Sequence, residues 1–324
     1  MFRKTLLFFF FLGVKSSLFA GGSGVKVQAK MNYKKKAMEI TCFSEKNYPC
    51  TVELSLDELD NFDQKYQKGD VLHVVVAKGQ DAFLSLKTKS DATPRISITS
   101  DFIKGNLMSK PDLDYTYLLP VSNGKTAQVK SLKYNGKTSD CDLDPKSWFG
   151  LSFKTRPGDT IYASRRGIVT GLKANSASTE SKMLHSFQEN FVEICHADGS
   201  FATYRLFQNN GIFVNEGEMV EAGQPIGIIG GENYVEGSHL CFTISHPMAE
   251  QVSDGDQTKT KYFREYIQAK FCTKENPSAQ LAENSSYTAV KTMDLITREM
   301  TKSEKKAFTE NVSKAKSFGL LTLR

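Results

Sequence analysis

The sequence predicts a mainly β protein in three parts: a β-sandwich-like domain over residues 21–110, a small β-barrel or sandwich over 117–250, and a helical C-terminal region over 258–324. Three patterns carry this reading. Between Val25 and Thr99, short runs alternate apolar and polar residues with period 2, as half-buried strands do. From Asn215 to Ser245, in NEGEMVEAGQPIGIIGGENYVEGSHLCFTIS, glycines at 217, 223, 227, 230, 231 and 237 bracket brief apolar runs, the punctuation of short strands and tight turns. Beyond Ile244, apolar residues recur at helical spacing.

Residues 1–20, MFRKTLLFFFFLGVKSSLFA, have a basic start, an apolar run from Leu6 to Val14 and a small residue at Ala20, the pattern of a cleaved secretory signal. Export to the periplasm or cell envelope, or release beyond it, is the expectation. The apolar run is too short to span a bilayer comfortably and no other stretch is long enough, so no transmembrane segment is expected after cleavage.

In the first domain Val25, Val27, Ala29, Met31 and Tyr33 share one parity; Met38-Ile40-Cys42 and Cys50-Val52-Leu54-Leu56 repeat the pattern, and VLHVVVA, AFLSLKT and RISIT follow from Val71, Ala82 and Arg95. Strands at this spacing with polar turns read as a sandwich used for interaction or as a spacer. His73, in an apolar strand, reads as a packed structural histidine. Six cysteines in an exported chain suggest disulfides, with 15 possible pairings. Cys42 and Cys50 flank the polar connection FSEKNYP, and a hairpin there would bring them together, so that bridge is predicted. The formal charge of +6 is spread along the chain without arginine-aromatic clusters, which argues against nucleic acid and suits anionic envelope polymers.

Two words in the central part resemble a known family. Val214 to Gly227, then GSHLCF, are similar to V-x-x-G-x-x-V-x-x-G-Q-x-I-G and G-P-H-L-H-F of the LytM-like, lysostaphin-type zinc endopeptidases, which cut peptide crosslinks in peptidoglycan. YLLPVSNGK from Tyr117 resembles the lead-in to that domain. WFGLSFKTRPGDTIYASRRGIVTGL resembles G-x-D-F-x-x-x-x-G-x-x-V-x-A-x-x-x-G-x-V, with Phe153, Gly158, Ile161, Ala163, Gly167 and Val169 in the matching places. The resemblance runs from Tyr117 to about Ser245 and implies a duplicated β-hybrid fold.

It also implies which residues would do chemistry. The zinc-binding Asp falls on Ser152, the second His of H-L-H, a ligand, on Cys241, and the first, a catalytic helper, on His239. The helper His of Y-x-H-L falls on Leu206, in Tyr204-Arg205-Leu206-Phe207. The remaining zinc-binding His belongs between Asp140 and Trp148, yet no His occurs between His73 and His185. Asp142 and Asp144 in that window read as a solvated acidic turn, His185 as part of a surface loop over 174–188, and His196 as a turn residue before Asp198-Gly199.

The expectation is therefore a catalytically degenerate member without a metal. It would bind peptidoglycan stems, or regulate a cell-wall hydrolase in the manner of an amidase activator, through a groove at Ser152, Tyr204, Arg205 and His239. One alternative is an active zinc peptidase with substitute ligands, Cys241 and Asp144 with His239 or His196, since a thiolate is a legitimate zinc ligand. Another is a structural module of an envelope complex. Cys195 is a candidate disulfide partner for Cys241, and the pairing of Cys141 and Cys272 stays open.

At the C-terminus, Tyr262, Phe263, Tyr266, Ile267 and Phe271 predict a helix. A second begins with a capping box at Thr301 and Glu304, stops at Gly319 and carries Phe308, Val312, Ala315 and Phe318 in one stripe, to pack at home or to offer to a partner.

Overall fold

The computed structural model describes residues 4–7, 18–22, 24–63, 65–79, 82–89, 93–132, 144–177, 189–254 and 257–317. The chain divides into two compact units, residues 1–109 with 247–262, and residues 110–246 with 263–324.

The first unit holds β1 (Lys4–Leu7), β2 (Leu18–Gly22), β3 (Val25–Asn32), β4 (Ala37–Ser44), β5 (Cys50–Asp60), β6 (Val71–Val76), β7 (Ala82–Lys87) and β8 (Arg95–Lys104). They form two four-stranded sheets, in the orders β1-β8-β5-β6 and β2-β3-β4-β7. The alternation read from the sequence is the packing pattern: Val25, Val27 and Ala29, Met38 and Ile40, Val52, Leu54 and Leu56, and Ile96 and Ile98 enter one core from both sheets. His73 lies opposite Glu53 across β5 and β6, and its Nε2 is 2.9 Å from the Tyr262 hydroxyl, the structural setting expected of it.

The predicted Cys42–Cys50 bridge is not made; both cysteines are free and buried. The connection between them is no hairpin. Cys42 in β4 pairs with Val27 and Ala82, Cys50 in β5 with Val76 and Lys104, so the chain crosses from one sheet to the other between them. Burial pushes the Cys42 thiol up to about 12 and raises that of Cys50, so both behave as small apolar residues.

The second unit is built on a long sheet. Its strands are β9 (Thr116–Leu118), β10 (Thr126–Ser131), β11 (Asp144–Ser147), β12 (Leu151–Lys154), β13 (Thr160–Tyr162), β14 (Gly167–Lys173), β15 (Phe191–Cys195), β16 (Phe201–Arg205), β17 (Phe207–Ile212), β18 (Met219–Val220), β19 (Pro225–Ile229), β20 (His239–Asp254) up to residue 246, β21 (Gln257–Tyr266) from residue 263, β22 (Lys270–Cys272), β23 (Ala279–Gln280) and β24 (Ser286–Thr288). The order β18-β14-β15-β16-β20-β12-β10-β24 makes the main sheet, with β11 and β21 joined beside β20. A smaller sheet, β13-β19-β17, contributes Ile161, Ile226, Ile229 and Phe207 to the same core. These sheets are open rather than a closed barrel, within the mainly β class predicted.

Glycines mark the tight places in this unit. A side chain at Gly167 would meet the Cys195 carbonyl oxygen at 2.4 Å, where β14 crosses β15, and one at Gly227 would meet the Phe207 ring at 2.7 Å.

The predicted helix over 262–271 is instead β21, a break and β22. Phe271 is buried against Phe153, Phe242 and Tyr117. With Tyr262 and Phe263 both buried, the segment carries no clean period of 2, and its aromatic spacing imitates a helical stripe. The helices are α1 (Met293–Thr297) and α2 (Lys302–Ser317). The capping box forms as read: Glu304 accepts from the Thr301 amide at 2.7 Å, and the Glu304 amide donates to Thr301 Oγ1 at 3.3 Å. Phe308 and Val312, with Glu304, are half-buried on α2, whose other described side chains are exposed; Ala315, Phe318 and Gly319 lie outside the residues whose side chains are described.

Two arginines tie this tail down. Arg165, with its side chain only 3% exposed, reaches Asp198 at 2.7 Å, holds Glu299 through Nε and Nη2, and lies 3.7 Å from the centre of the Tyr115 ring. Arg166 binds Glu304 at 2.6 Å. Guanidinium groups suit such paired, partly buried sites because they stay charged and donate along two parallel bonds.

Candidate functional site

Along β20 the side chains alternate as period 2 requires. Leu240, Phe242 and Ile244 enter the core; His239 and Cys241 take the other face. Register across the main sheet places Lys130, Ser152, Cys241, Arg205 and Phe191 in one row over β10, β12, β20, β16 and β15. His239 pairs with Lys154 one step along the same face. The register thus places Ser152, His239, Cys241 and Arg205 on one face of the main sheet.

Tyr204 is a correction. It is fully buried, packs 5.0 Å from Phe242 and accepts a hydrogen bond from the Ser164 amide at 2.8 Å. Adjacent strand residues point to opposite faces, so Tyr204 and Arg205 cannot both line the groove.

The chemistry of the face is set by its partners. His239 is mostly buried, and its Nδ1–H donates to the Gly237 carbonyl at 2.7 Å; a carbonyl only accepts, which fixes this tautomer. The ring meets Tyr234 edge-on at 5.8 Å. The Tyr234 hydroxyl donates to Glu189 Oε1 at 3.0 Å, and Glu189 Oε2 lies 4.0 Å from Arg205 Nε. Burial pushes the half-buried Cys241 thiol up to about 12; Glu189 adds to this and Arg205 opposes it. Leu206 is buried with φ +76°, a left-handed backbone rare for a branched side chain, and its carbonyl accepts from the Gly230 amide at 2.7 Å.

Beside this face lies a cleft of about 270 Å³ lined by Glu189, Asn190, Leu206, Phe207, Gly231 and Tyr234 among others. Glu189 and Tyr234 were not picked out in the sequence. Tyr234 carries a weak signal, an aromatic in a glycine-bracketed loop; Glu189, at the end of a polar insertion, carries none.

Other candidates fall elsewhere. His196 follows β15 at its far end: Cys195 is in register with Phe201 and Ser245, whereas Cys241 is in register with Arg205 and Phe191. Two strand spacings and four residues therefore separate the two regions, about 10 Å across and about 13 Å along. The same offset keeps Cys195 and Cys241 well beyond disulfide reach of each other. His196 donates from Nδ1 to the Arg166 carbonyl at 2.8 Å and stacks edge-on near Tyr117. Cys272 is likewise free and buried. Cys141, Asp142 and His185 lie outside the described residues, as does the side chain of Asp144. Among the described residues no three His, Cys, Asp or Glu side chains gather where they would hold a metal ion. No helix among them is long and apolar enough to cross a membrane.

Comparison with known proteins gives one match by sequence family, Peptidase family M23, over residues 146–257. No curated protein matches the chain. Among solved structures, Helicobacter pylori Csd3 from the hexagonal crystal aligns at 12% identity and TM-score 0.29 over 97% of this chain and 80% of that one. A zinc containing peptidase from Vibrio cholerae aligns at 14% identity and TM-score 0.28 over 74% of this chain and 81% of that one. A putative peptidase M23 from Pseudomonas aeruginosa aligns at 15% identity and TM-score 0.24, covering 62% and 84% respectively. The family match spans β12 through β20, the strands that carry Ser152, Arg205, His239 and Cys241. Residues 146–257 are thus a Peptidase family M23, LytM-like, domain within this chain.

Proposed function

We propose that this M23 domain is a non-catalytic module of the cell envelope, exported there by its N-terminal segment, which binds peptidoglycan peptide stems or regulates a cell-wall hydrolase. The supporting observation is the cross-strand pair Ser152 and Cys241, with Leu206 nearby in the place of a proton-transferring histidine. A catalytic zinc takes three protein ligands and leaves one position open. Ser152 offers a neutral hydroxyl. Cys241 binds zinc only as a thiolate, and burial, which raises its thiol pKa to about 12, adds a deprotonation cost to such binding. Leu206 neither takes nor gives a proton. The substitute set with His196 fails on distance, because His196 sits at the other end of the sheet. With a hydroxyl at Ser152 and a hydrocarbon at Leu206, we assign no hydrolytic step to this face.

What they do fit is recognition. Arg205 with Glu189, His239 and the Tyr234 hydroxyl offer both donors and acceptors beside a cleft of about 270 Å³. The test uses the purified full chain, equilibrated with zinc, desalted, and analysed for bound metal, for release of soluble fragments from sacculi and for co-sedimentation with them. The expected result is zinc well below one per chain, no fragment release, and either co-sedimentation or stimulation of a hydrolase added in trans. Stoichiometric zinc with chelator-sensitive cleavage refutes the reading.

A further inference from the structure

The turn joining β3 to β4, Asn32-Tyr33-Lys34-Lys35-Lys36-Ala37, is closed by its own hydrogen bonds. Asn32 and Ala37 are the last cross-strand pair before it. The Lys35 amide donates to Asn32 Oδ1 at 3.2 Å, Asn32 Nδ2 donates to Glu39 Oε1 at 2.8 Å, and the Lys36 amide donates to the Tyr33 carbonyl at 3.4 Å. Lys36 takes a left-handed backbone at φ +46°, where glycine or asparagine is the ordinary choice, so a cation stands at a position that strains it.

This tip joins an exposed ring to clustered cations. Tyr33 is 71% exposed, the most exposed large apolar side chain among the described residues. Lys34, Lys35 and Lys36 beside it are all exposed. The end of β7 adds two more. Lys87 is in register with Ala37, and the Thr88 amide and Oγ1 both donate to the Lys36 carbonyl, which sets exposed Lys87 and Lys89 on either side of that contact. Neighbours in this set lie closer than the screening length of about 8–10 Å, so their fields add.

The nearby acids leave most of this charge uncancelled. Glu39 is shared by Lys35 and Asn32, Asp60 stands opposite Arg95, and exposed Asp63 is held through its amide by the Lys87 carbonyl. Among the described residues no carboxylate forms an ion pair with Lys34, Lys36, Lys87 or Lys89. Like charges so grouped repel one another, and an anionic surface facing them relieves that. Cations alone would fit any polyanion; the exposed tyrosine among them, apolar in its body and polar at its end, favours a surface with an apolar layer beneath its charges.

We infer that the β3–β4 tip, with Tyr33, Lys34, Lys36 and Lys87, is a contact surface for a membrane of anionic phospholipid. This goes beyond the proposed function: it concerns the first unit alone.

The experiment sediments the full chain with vesicles of phosphatidylcholine alone or mixed with phosphatidylglycerol. Binding is expected to the mixed vesicles only, and to weaken as sodium chloride rises. Replacing Lys34, Lys36 and Lys87 together by glutamine should weaken it about a hundredfold, at about fivefold for each cation near an anionic surface. Tyr33→Ser, with every charge kept, should weaken it about fivefold through lost burial of part of the ring. The matched control replaces Lys302, Lys305 and Lys306, exposed on α2, by glutamine; it has the same net charge as the first triple variant and should bind like the native chain. Far-UV circular dichroism checks that each variant keeps its strands. No binding to the mixed vesicles, equal loss in the two triple variants, or full binding by Tyr33→Ser overturns the inference. So does displacement by inorganic phosphate beyond that by sodium chloride of equal ionic strength, which identifies a site for free phosphate. Sacculi, hydrolase and metal play no part in this readout, so the membrane contact and the proposed function stand or fall separately.

Discussion

Acidification provides a sharp test of how the far end of the main sheet is built. His196 is 3% exposed, and its Nδ1–H is committed to the Arg166 carbonyl. Its Nε2 is buried with no hydrogen-bond partner. Protonation would place a second N–H there without an acceptor, close to the Arg165 guanidinium. Burial, and then Arg165, lower its pKa from 6.5 to about 3, against smaller opposing effects of the Arg166 carbonyl and Asp198. The folded value lies below the unfolded one, so between these values the unfolded chain binds the extra proton and stability falls as pH falls. From pH 7.5 to pH 5 this amounts to about 2 kcal/mol, at about 1.4 kcal/mol per pH unit once below 6.5. His246, also lowered by burial, adds a change of the same sign. Asp198, held at about 2 with Arg165 as the main lowering influence, titrates too low to contribute in this window.

The assay is urea unfolding followed by Trp148, the sole tryptophan, which lies in the second unit. His196→Asn keeps a donor for the Arg166 carbonyl and removes the titrating ring. It should lower stability at pH 7.5 yet remove most of the decline toward pH 5, leaving the part owed to His246. A decline as steep in His196→Asn as in the native chain refutes the argument.

Other substitutions test separate parts of the structure. Arg165→Met leaves Asp198 and Glu299 without their shared cation and should cost about 3–5 kcal/mol by urea unfolding at pH 7.5. Gly167→Ala drives a methyl group into the Cys195 carbonyl and should cost about 1–3 kcal/mol in the same assay, whereas Gly158→Ala has open space and meets only the strain of its positive φ. Thr301→Ala removes one half of the capping box and should weaken the start of α2 by about 1 kcal/mol, read as faster amide exchange over 302–306 with the sheet amides unchanged.

Much of this architecture is legible in the sequence, because it rests on local periodicity. Alternation in Val25–Ala29, Met38–Cys42 and Cys50–Leu56 marks the strands and the buried side of each. The same rule, applied to HLCFTI, separates His239 and Cys241 from Leu240, Phe242 and Ile244. Period 2 alone excludes Tyr204 and Arg205 from a common groove. Aromatic spacing misled at 262–271, since strand residues buried on both sides leave no alternation to see.

The sequence by itself determined the mainly β class, the M23 words, the turn glycines and the residue types at each expected functional position. Only the tertiary structure decided that Ser152 faces Cys241, that Cys42 and Cys50 belong to different sheets, that His196 lies far from His239, and that Glu189 and Tyr234 close around the site. The division follows from reach: a residue's face depends on neighbours one or two positions away, whereas register and sheet order depend on pairings between segments tens of residues apart.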